Sequence, residues 1–310
     1  MKTYFALSAA THDAACAAWS LKRYYEGVRP ITLIRYMGSK GQSSDPLGPS
    51  YHPEGLPLEA GVVEVITSST ASVGGRHHGV GSVGDIVVYS WPGEPANPAT
   101  QTSNVRWIKA RDWVPYQRKT FNTPAFPGYV SGHSTFSRAA AEVLAAITGS
   151  SFFPGGLGTF TANANSYLVF ERGPSQNVAL QWATYFDAAD QAGQSRLWGG
   201  IHVQEDDFTG RTVGSQTGIQ AWILANKYWD ASIIQESISP MFSFEPGNQV
   251  KVQWECRRGL YYKIQSSPDL LNWSDASFSS RAANTAAAWL GTMPSTTGHF
   301  YRVFFSPTSQ

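Results

Sequence analysis

The sequence predicts a mainly α-helical bundle over residues 1–235, followed by a small all-β, sandwich-like module over residues 241–310. Three observations carry that prediction. Alanine-rich stretches with apolar residues at helical spacing dominate the first part. After about residue 240 the pattern changes to short alternating strands separated by turns. Of the 310 residues, 42% are hydrophobic, enough for two cores.

Taken in order, residues 3–27 read as a helix with Phe5, Ala9, Cys16 and Trp19 spaced for a buried stripe, stopped by "GVRP" because the residue before proline avoids helical geometry. "ITLIRYMG" reads as a short helix or turn, and residues 40–60, rich in Gly, Ser and Pro, as an ordered loop. The β-branched runs "GVVEVIT" and "DIVVYSW" read as short strands or covering loops. His77 and His78 lie in the glycine-rich stretch 71–84 and read as exposed loop residues rather than metal ligands. Residues 131–149 form a helix burying Phe136, Ala140, Val143, Leu144 and Ile147, closed by Gly149. A further helix is predicted over 176–193, burying Leu180, Trp182, Tyr185 and Phe186. The last begins near Asp206–Asp207, where acids suit the positive end of a helix dipole, and runs through "GIQAWILANKYW". In the tail, "VKVQWEC", "YYKIQSS" and "HFYRVFF" alternate as strands; Trp254, Tyr261, Trp273 and Trp289 read as core rather than as a binding surface.

Bulk chemistry narrows the function. Twenty-three basic against 22 acidic residues give a net charge of +1, so nothing favours nucleic acid or an acidic membrane surface, and any anion site must be local. Cys16 and Cys256 are too far apart in sequence to read as a disulfide framework or a metal pair. No run approaches the ~20 apolar residues of a membrane span. The opening "MKTYFALSAATHDAACAAWS" has the lysine and small residues of a signal peptide, but His12 and Asp13 interrupt its apolar region, so it reads as the first helix of the fold.

Local charge is concentrated in three places. Lys22 and Arg29 stand seven apart, expected on one face of a helix ending at Pro30. Ser131-Gly132-His133 opens a helix, whose N-terminal N–H groups and dipole stabilise an oxyanion, with Gly132 letting the backbone approach it. Arg196 precedes His202 by six residues, and Asp206 follows His202 by four. Two arginines and a lysine can bond several oxygens of a tetrahedral oxyanion. His202 can attack or ligate its central atom, His133 can transfer protons, and Asp206 can orient a side chain of the site.

In order, Lys22-x6-Arg29-Pro30, Ser131-Gly132-His133 and Ser195-Arg196-x5-His202-x3-Asp206 resemble the three-part signature of vanadium-dependent haloperoxidases and type 2 phosphatidic-acid phosphatases. The segments "KRYYEGVRPITLIRYMG", "TPAFPGYVSGHSTFSRAAAEVL" and "YFDAADQAGQSRLWGGIH" resemble the bacterial haloperoxidases in particular, over about residues 1–230. The tail more loosely resembles a β module appended to secreted bacterial proteins. The resemblance implies a helical bundle of the haloperoxidase and acid phosphatase type holding vanadate, with His202 bonded to vanadium. Lys22, Arg29 and Arg196 would neutralise its oxygens, and Ser131 and the Gly132 backbone would hydrogen-bond to them. His133 would be the acid–base group. Hydrogen peroxide, polarised by Lys22, and a halide would react there to give hypohalous acid. Phe126 matches a position beside the family's halide path.

The same residues admit a second chemistry, a soluble acid phosphatase without vanadate. There His202 would attack a phosphate ester, Asp206 would orient it, and His133 would protonate the leaving oxygen. Lipid phosphatases carry membrane helices and none is predicted here, which favours the haloperoxidase. Val130 stands where the family often has proline, and about a hundred residues separate the first two motifs. Only one helix precedes Lys22, fewer than the family's usual upstream region. That leaves an N-terminally truncated chain, inactive and acting as scaffold for the β module, or a homodimer that supplies the missing wall. The expected setting is secreted or periplasmic in a bacterium, without a convincing signal peptide.

Overall fold

The computed structural model describes residues 1–230, 238–293 and 299–306. The chain divides into two compact units, Met1–Trp222 and Ile223–Gln310. Of the boundary expected between residues 235 and 241, residues 236 and 237 lie outside the described residues.

The first unit is built on helices α1 (Lys2–Tyr25), α2 (Pro30–Lys40), the single turn α3 (Ser68–Ala71), α4 (Gly132–Thr148), α5 (Tyr185–Trp198) and α6 (Gln204–Trp229), the last running past the unit boundary. Helix α1 packs on α4, and α4 on α5. The buried face of α1 differs from the predicted one. Ala6, Ala10, Ala14 and Ala18 form the inward stripe and Lys22 continues it, whereas Phe5, Cys16 and Trp19 are exposed. Small residues win that face because α1 approaches its neighbour closely, and bulky apolar groups are displaced to the other side. The helix also stops earlier, at Tyr25, with Glu26 in the left-handed conformation (φ 48°) donating its N–H to Lys22 O. Arg29 is therefore the N-cap of α2 and Pro30 its first residue, where a missing N–H costs nothing.

Close approach recurs between α6 and α4. A β-carbon on Gly210 would meet Ser131 O at 2.8 Å and Ser134 Cβ at 2.9 Å, and one on Gly218 would meet Ala139 O at 2.6 Å. Gly214 faces the carbonyl of Thr135 in the same way. Below this seam Asp207, buried, accepts from Ser134 Oγ (2.6 Å) and pairs with Arg211 (2.6 Å), which also reaches Asp190 of α5 (2.9 Å).

Two small antiparallel sheets accompany the helices. β1 (Val63–Val65), β2 (Ile86–Ser90) and β3 (Arg106–Lys109) form one, in the order β1-β2-β3, sharing a core with Leu56, Ala110, Ile34 and Met37. β4 (Gly158–Ala162) and β5 (Val178–Trp182) form the other. The helix predicted over 176–193 is thus corrected: 178–182 is a strand, and α5 begins at Tyr185 behind a Thr184–Asp187 capping box. Leu180 and Trp182 are only half-buried there; Tyr185 is buried. The loop 40–60 is ordered around buried Gln42, which accepts from the N–H groups of Ser44 and Asp45 (both 2.8 Å) and donates to Asp45 O (2.7 Å). His77 is fully buried, contrary to the sequence reading, with its ring edge-on to Trp107; His78 is exposed.

The second unit is a pair of small antiparallel sheets. β6 (Met241–Glu245), β7 (Gln249–Glu255) and β11 (Ala286–Thr292) run in the order β11-β7-β6. β8 (Tyr261–Ser267), the short β9 (Ser274–Asp275) and β10 (Ser280–Arg281), and β12 (Phe300–Ser306) form the other around β8. Val250, Val252 and Trp254 from one sheet meet Tyr262 and Ile264 from the other in a shared core, with Trp289 packed against it. Cys256 is buried in this core and both cysteines are free thiols.

Candidate anion site at the head of the bundle

The site gathers where the α1–α2 corner, the N-terminus of α4, the end of α5 and the start of α6 converge. Lys22, delivered inward by the alanine stripe, donates to the carbonyls of Pro127 (2.9 Å) and Gly128 (2.8 Å). Arg29 donates from Nε to Phe126 O (3.0 Å), and from Nη1 to Ile201 O (3.1 Å) and to His202 Nε2 (3.0 Å). Segment 126–128 presses tightly on the corner, with Gly128 N–H donating to Gly27 O at 2.7 Å; a Gly128 β-carbon would meet Asp206 Oδ2 at 3.2 Å.

His202 leaves α5 through Gly199 and Gly200, the latter at φ 69°, where a β-carbon would strike Trp113 at 2.8 Å. Trp198 of the same "WGG" is exposed, so the two glycines alone form the close-packed spacer. The Nδ1 of His202 lies 2.7 Å from Asp206 Oδ2. A guanidinium only donates and a carboxylate only accepts, so these two contacts assign the ring: Nδ1 carries the proton and Nε2 the lone pair. Burial, the largest cause, holds the His202 pKa below its ordinary value against the opposing bond to Asp206, so the ring is neutral near pH 7.

The N-cap of α4 is Ser131, whose hydroxyl accepts from Ser134 N–H (3.3 Å) and so keeps its own proton to donate. Its N–H donates to Asp206 O (2.9 Å), tying the α4 start to the first turn of α6. Gly132 and His133 supply the first N–H groups of α4, which have no carbonyl one turn back. A β-carbon at Gly132 would lie 3.4 Å from the Trp19 ring. His133 is exposed, yet the protein atoms crowded around it, then the charge of Arg196, bring its pKa down to about 4.

The charges are not balanced from within. Asp206 is the carboxylate that opposes Lys22 and Arg29 among the described residues, and the charge of Arg196 acts against Arg29. Burial and then Arg29 lower Lys22 to about 8, and burial lowers Arg29 to about 10 and depresses Arg196. The Nε of Arg196 is buried and makes no hydrogen bond among the described residues. An unsatisfied guanidinium donor, a helix N-terminus and a cationic excess define a site for an oxyanion. The donor set suits an oxyanion such as vanadate, and the His202 Nε2, which accepts from Arg29 Nη1, is the site's neutral lone-pair donor.

Lys22, Arg29, Ser131, Gly132, His133, Arg196, His202 and Asp206 thus lie together, and Phe126 stands at the rim beneath Lys22 Nζ (5.3 Å) and Arg29 Cζ (5.3 Å). Trp19 is a rim residue that the sequence reading had placed in the core of α1. It is 41% exposed, 5.0 Å from the Phe126 ring and 5.7 Å from Lys22 Nζ. Its spacing of three from Lys22, one helical turn, could have marked it.

The family model described as "VCPO second helical-bundle domain" matches residues 2–57 and 78–231. Among solved structures, an apo-type bacterial vanadium-dependent chloroperoxidase aligns at TM-score 0.53 and 20% identity, covering 74% of this chain and 37% of its own. The holo-type bacterial enzyme aligns at TM-score 0.50 and 20% identity, covering 72% and 35%. A bacterial vanadium-dependent iodoperoxidase aligns at TM-score 0.27 and 28% identity, covering 36% and 23%. The chain therefore spans little more than a third of the chloroperoxidases it matches. No match was found among curated proteins.

Proposed function

From the premise that the chain belongs to the vanadium haloperoxidase family, through its VCPO second helical-bundle domain, we propose that it is a vanadate-dependent haloperoxidase. The observation that carries the proposal is the His202 ring, its proton held by Asp206 and its Nε2 lone pair facing Arg29 Nη1, with the charge of Lys22 also acting on it. Bound vanadate supplies a Lewis-acidic centre at which hydrogen peroxide becomes reactive toward halide.

The protein's part is electrostatic and positional. Lys22, Arg29 and Arg196 hold the charge of the anion, with the unsatisfied Arg196 Nε gaining its partner on binding. Ser131 Oγ and the first N–H groups of α4 donate to the anion's oxygens, fixed by the Ser131–Asp206 backbone bond. Asp206 keeps the His202 proton on Nδ1. His133, neutral above about pH 4, takes up a proton at the mouth of the site. No helix among the described residues is long and apolar enough to cross a membrane.

The test supplies purified protein with orthovanadate, hydrogen peroxide and bromide and follows halogenation of a dione reporter, alongside aryl phosphate hydrolysis without vanadate. Halogenation abolished in His202→Ala is expected. Phosphate ester hydrolysis with no halogenation would overturn the proposal in favour of a phosphohistidine route. Absence of both activities and of vanadate binding would leave a scaffold.

A further inference from the structure

The family model matches continuously on both sides of residues 58–77 but not across them. This stretch supplies β1, α3 and most of the lining of an open cavity of about 390 Å³, completed by Gln42, Asp45, Gly48 and Pro49. The cavity is separate from the residues of the anion site.

Its walls are apolar: Pro49, Leu58, Ala60, Val63 and Val65. Beneath them Glu64, Thr70, Arg76 and His77 come together, with Glu64 Oε2 and His77 Nε2 buried and making no hydrogen bond among the described residues. Glu64 Oε1 accepts from Gly61 N–H (2.9 Å) and its Oε2 pairs with Arg76 (2.7 Å). His77 Nε2 is 3.2 Å from the same oxygen, and its Nδ1 is 3.0 Å from Thr70 Oγ1. Thr67 and Thr70 close a capping box around α3. A pocket whose walls are held this way is formed before any ligand arrives, which lowers the cost of binding.

Two charged groups reach the rim. Arg76 is 59% exposed and pairs with Glu64 through Nη2, leaving further N–H donors. Asp45 is exposed, and its Oδ1 accepts from Leu47 N–H (2.9 Å). With Glu64 neutralised by Arg76, Asp45 leaves the lining net negative. That disfavours a carboxylate, and the apolar walls disfavour a heavily hydrated polyol. A hydroxyl, which both donates and accepts, matches a lining that carries an acceptor in Asp45 and a donor in Arg76.

We infer that the cavity built by residues 58–77 is a second ligand site, taking an uncharged phenol-type molecule with its ring against Val63, Val65 and Leu58 and its hydroxyl between Asp45 and Arg76. The test uses the full chain and 4-ethylphenol, followed by calorimetry and ligand-observed NMR, with 4-ethylbenzoate and 4-ethylbenzylamine in parallel. Saturable 4-ethylphenol binding is expected, weakened at least about tenfold, a loss of about 1.4 kcal/mol, by Ala60→Trp, which fills the cavity from an exposed loop position. Asp45→Asn and Arg76→Ala, both at solvent-facing positions, weaken it several-fold and keep the test decisive if the tryptophan variant fails to fold. No binding of 4-ethylphenol overturns the inference. So does undiminished binding in folded Ala60→Trp, which places the phenol elsewhere, or tighter binding of the benzoate or benzylamine.

Discussion

The Nδ1 of His202 and the Oδ2 of Asp206 lie 2.7 Å apart, four residues from each other in the chain and both buried. This contact decides which ring nitrogen of His202 carries the proton. In Asp206→Ala the ring loses its acceptor and either tautomer becomes accessible. Vanadate affinity is expected to fall about 10- to 100-fold, as for other partners that orient a metal-ligating histidine. Titration with orthovanadate, read by tryptophan fluorescence, measures it; an unchanged affinity would remove Asp206 from the site.

The depressed pKa of Lys22, about 8, gives the site a pH dependence of definite sign. Below 8 the ammonium is charged and available to an anion. Above 8 the empty folded site sheds that proton, so anion affinity falls and binding takes up a proton. The wild-type advantage in affinity over Lys22→Met should be largest near pH 7 and shrink toward pH 10. Stability of the anion-free protein moves the other way. Between 8 and 10.5 the unfolded chain holds more protons than the folded one, so Lys22 makes stability rise with pH.

His133 predicts the acid limb. With its pKa held down to about 4, halogenation should persist well below the ordinary histidine range and decline only as pH approaches 4. A rate profile bending near 6.5 would contradict the proposed role, as would an unaltered limb in His133→Gln.

Asp207 ties together the helices that carry the site. It receives Ser134 Oγ of α4 and pairs with Arg211, and a β-carbon on Gly193 of α5 would run into it. Asp207→Ala leaves Arg211 its contact with Asp190, so the loss should sit near the low end for a broken buried pair, about 3 kcal/mol. Denaturant titration checks it, and a change below about 0.5 kcal/mol would show that the three helices are held without Asp207.

Gly210→Ala should be more damaging than a helix-propensity scale implies. Alanine gains up to ~1 kcal/mol in a helix interior, but its β-carbon would press on Ser131 O at 2.8 Å. Overpacking of this kind costs about 1–3 kcal/mol. Because Ser131 is the N-cap of α4, weaker vanadate binding should accompany any lowered melting temperature.

The helix over 131–149 was legible because periodicity, cap and closing glycine agree, and the last helix, expected near Asp206–Asp207, begins two residues earlier at Gln204. The inward face of α1 was not. Hydrophobicity favoured Phe5 and Trp19, whereas close approach selected the alanines, and only the contact partner reveals that. Residues 178–182 were misread because Leu180, Trp182, Tyr185 and Phe186 satisfy helical spacing across a strand-to-helix junction. His77 defeated the loop rule because Glu64 and Thr70, distant in pattern though near in chain, give both its ring nitrogens polar neighbours inside the fold. At the anion site, residue types and spacing could be read. The unsatisfied Arg196 Nε and the tautomer of His202 depend on contacts between distant segments that spacing does not encode.

The seven-residue spacing of Lys22 and Arg29 is set across a bend rather than along one helix. The lysine belongs to the last turn of α1 and the arginine caps α2, with left-handed Glu26 between them. Transplanting the pair onto a continuous helix would preserve the motif on paper and lose the convergence of its charges. The portable unit is the whole elbow from Ala18 to Pro30, together with the 126–128 carbonyls that brace it.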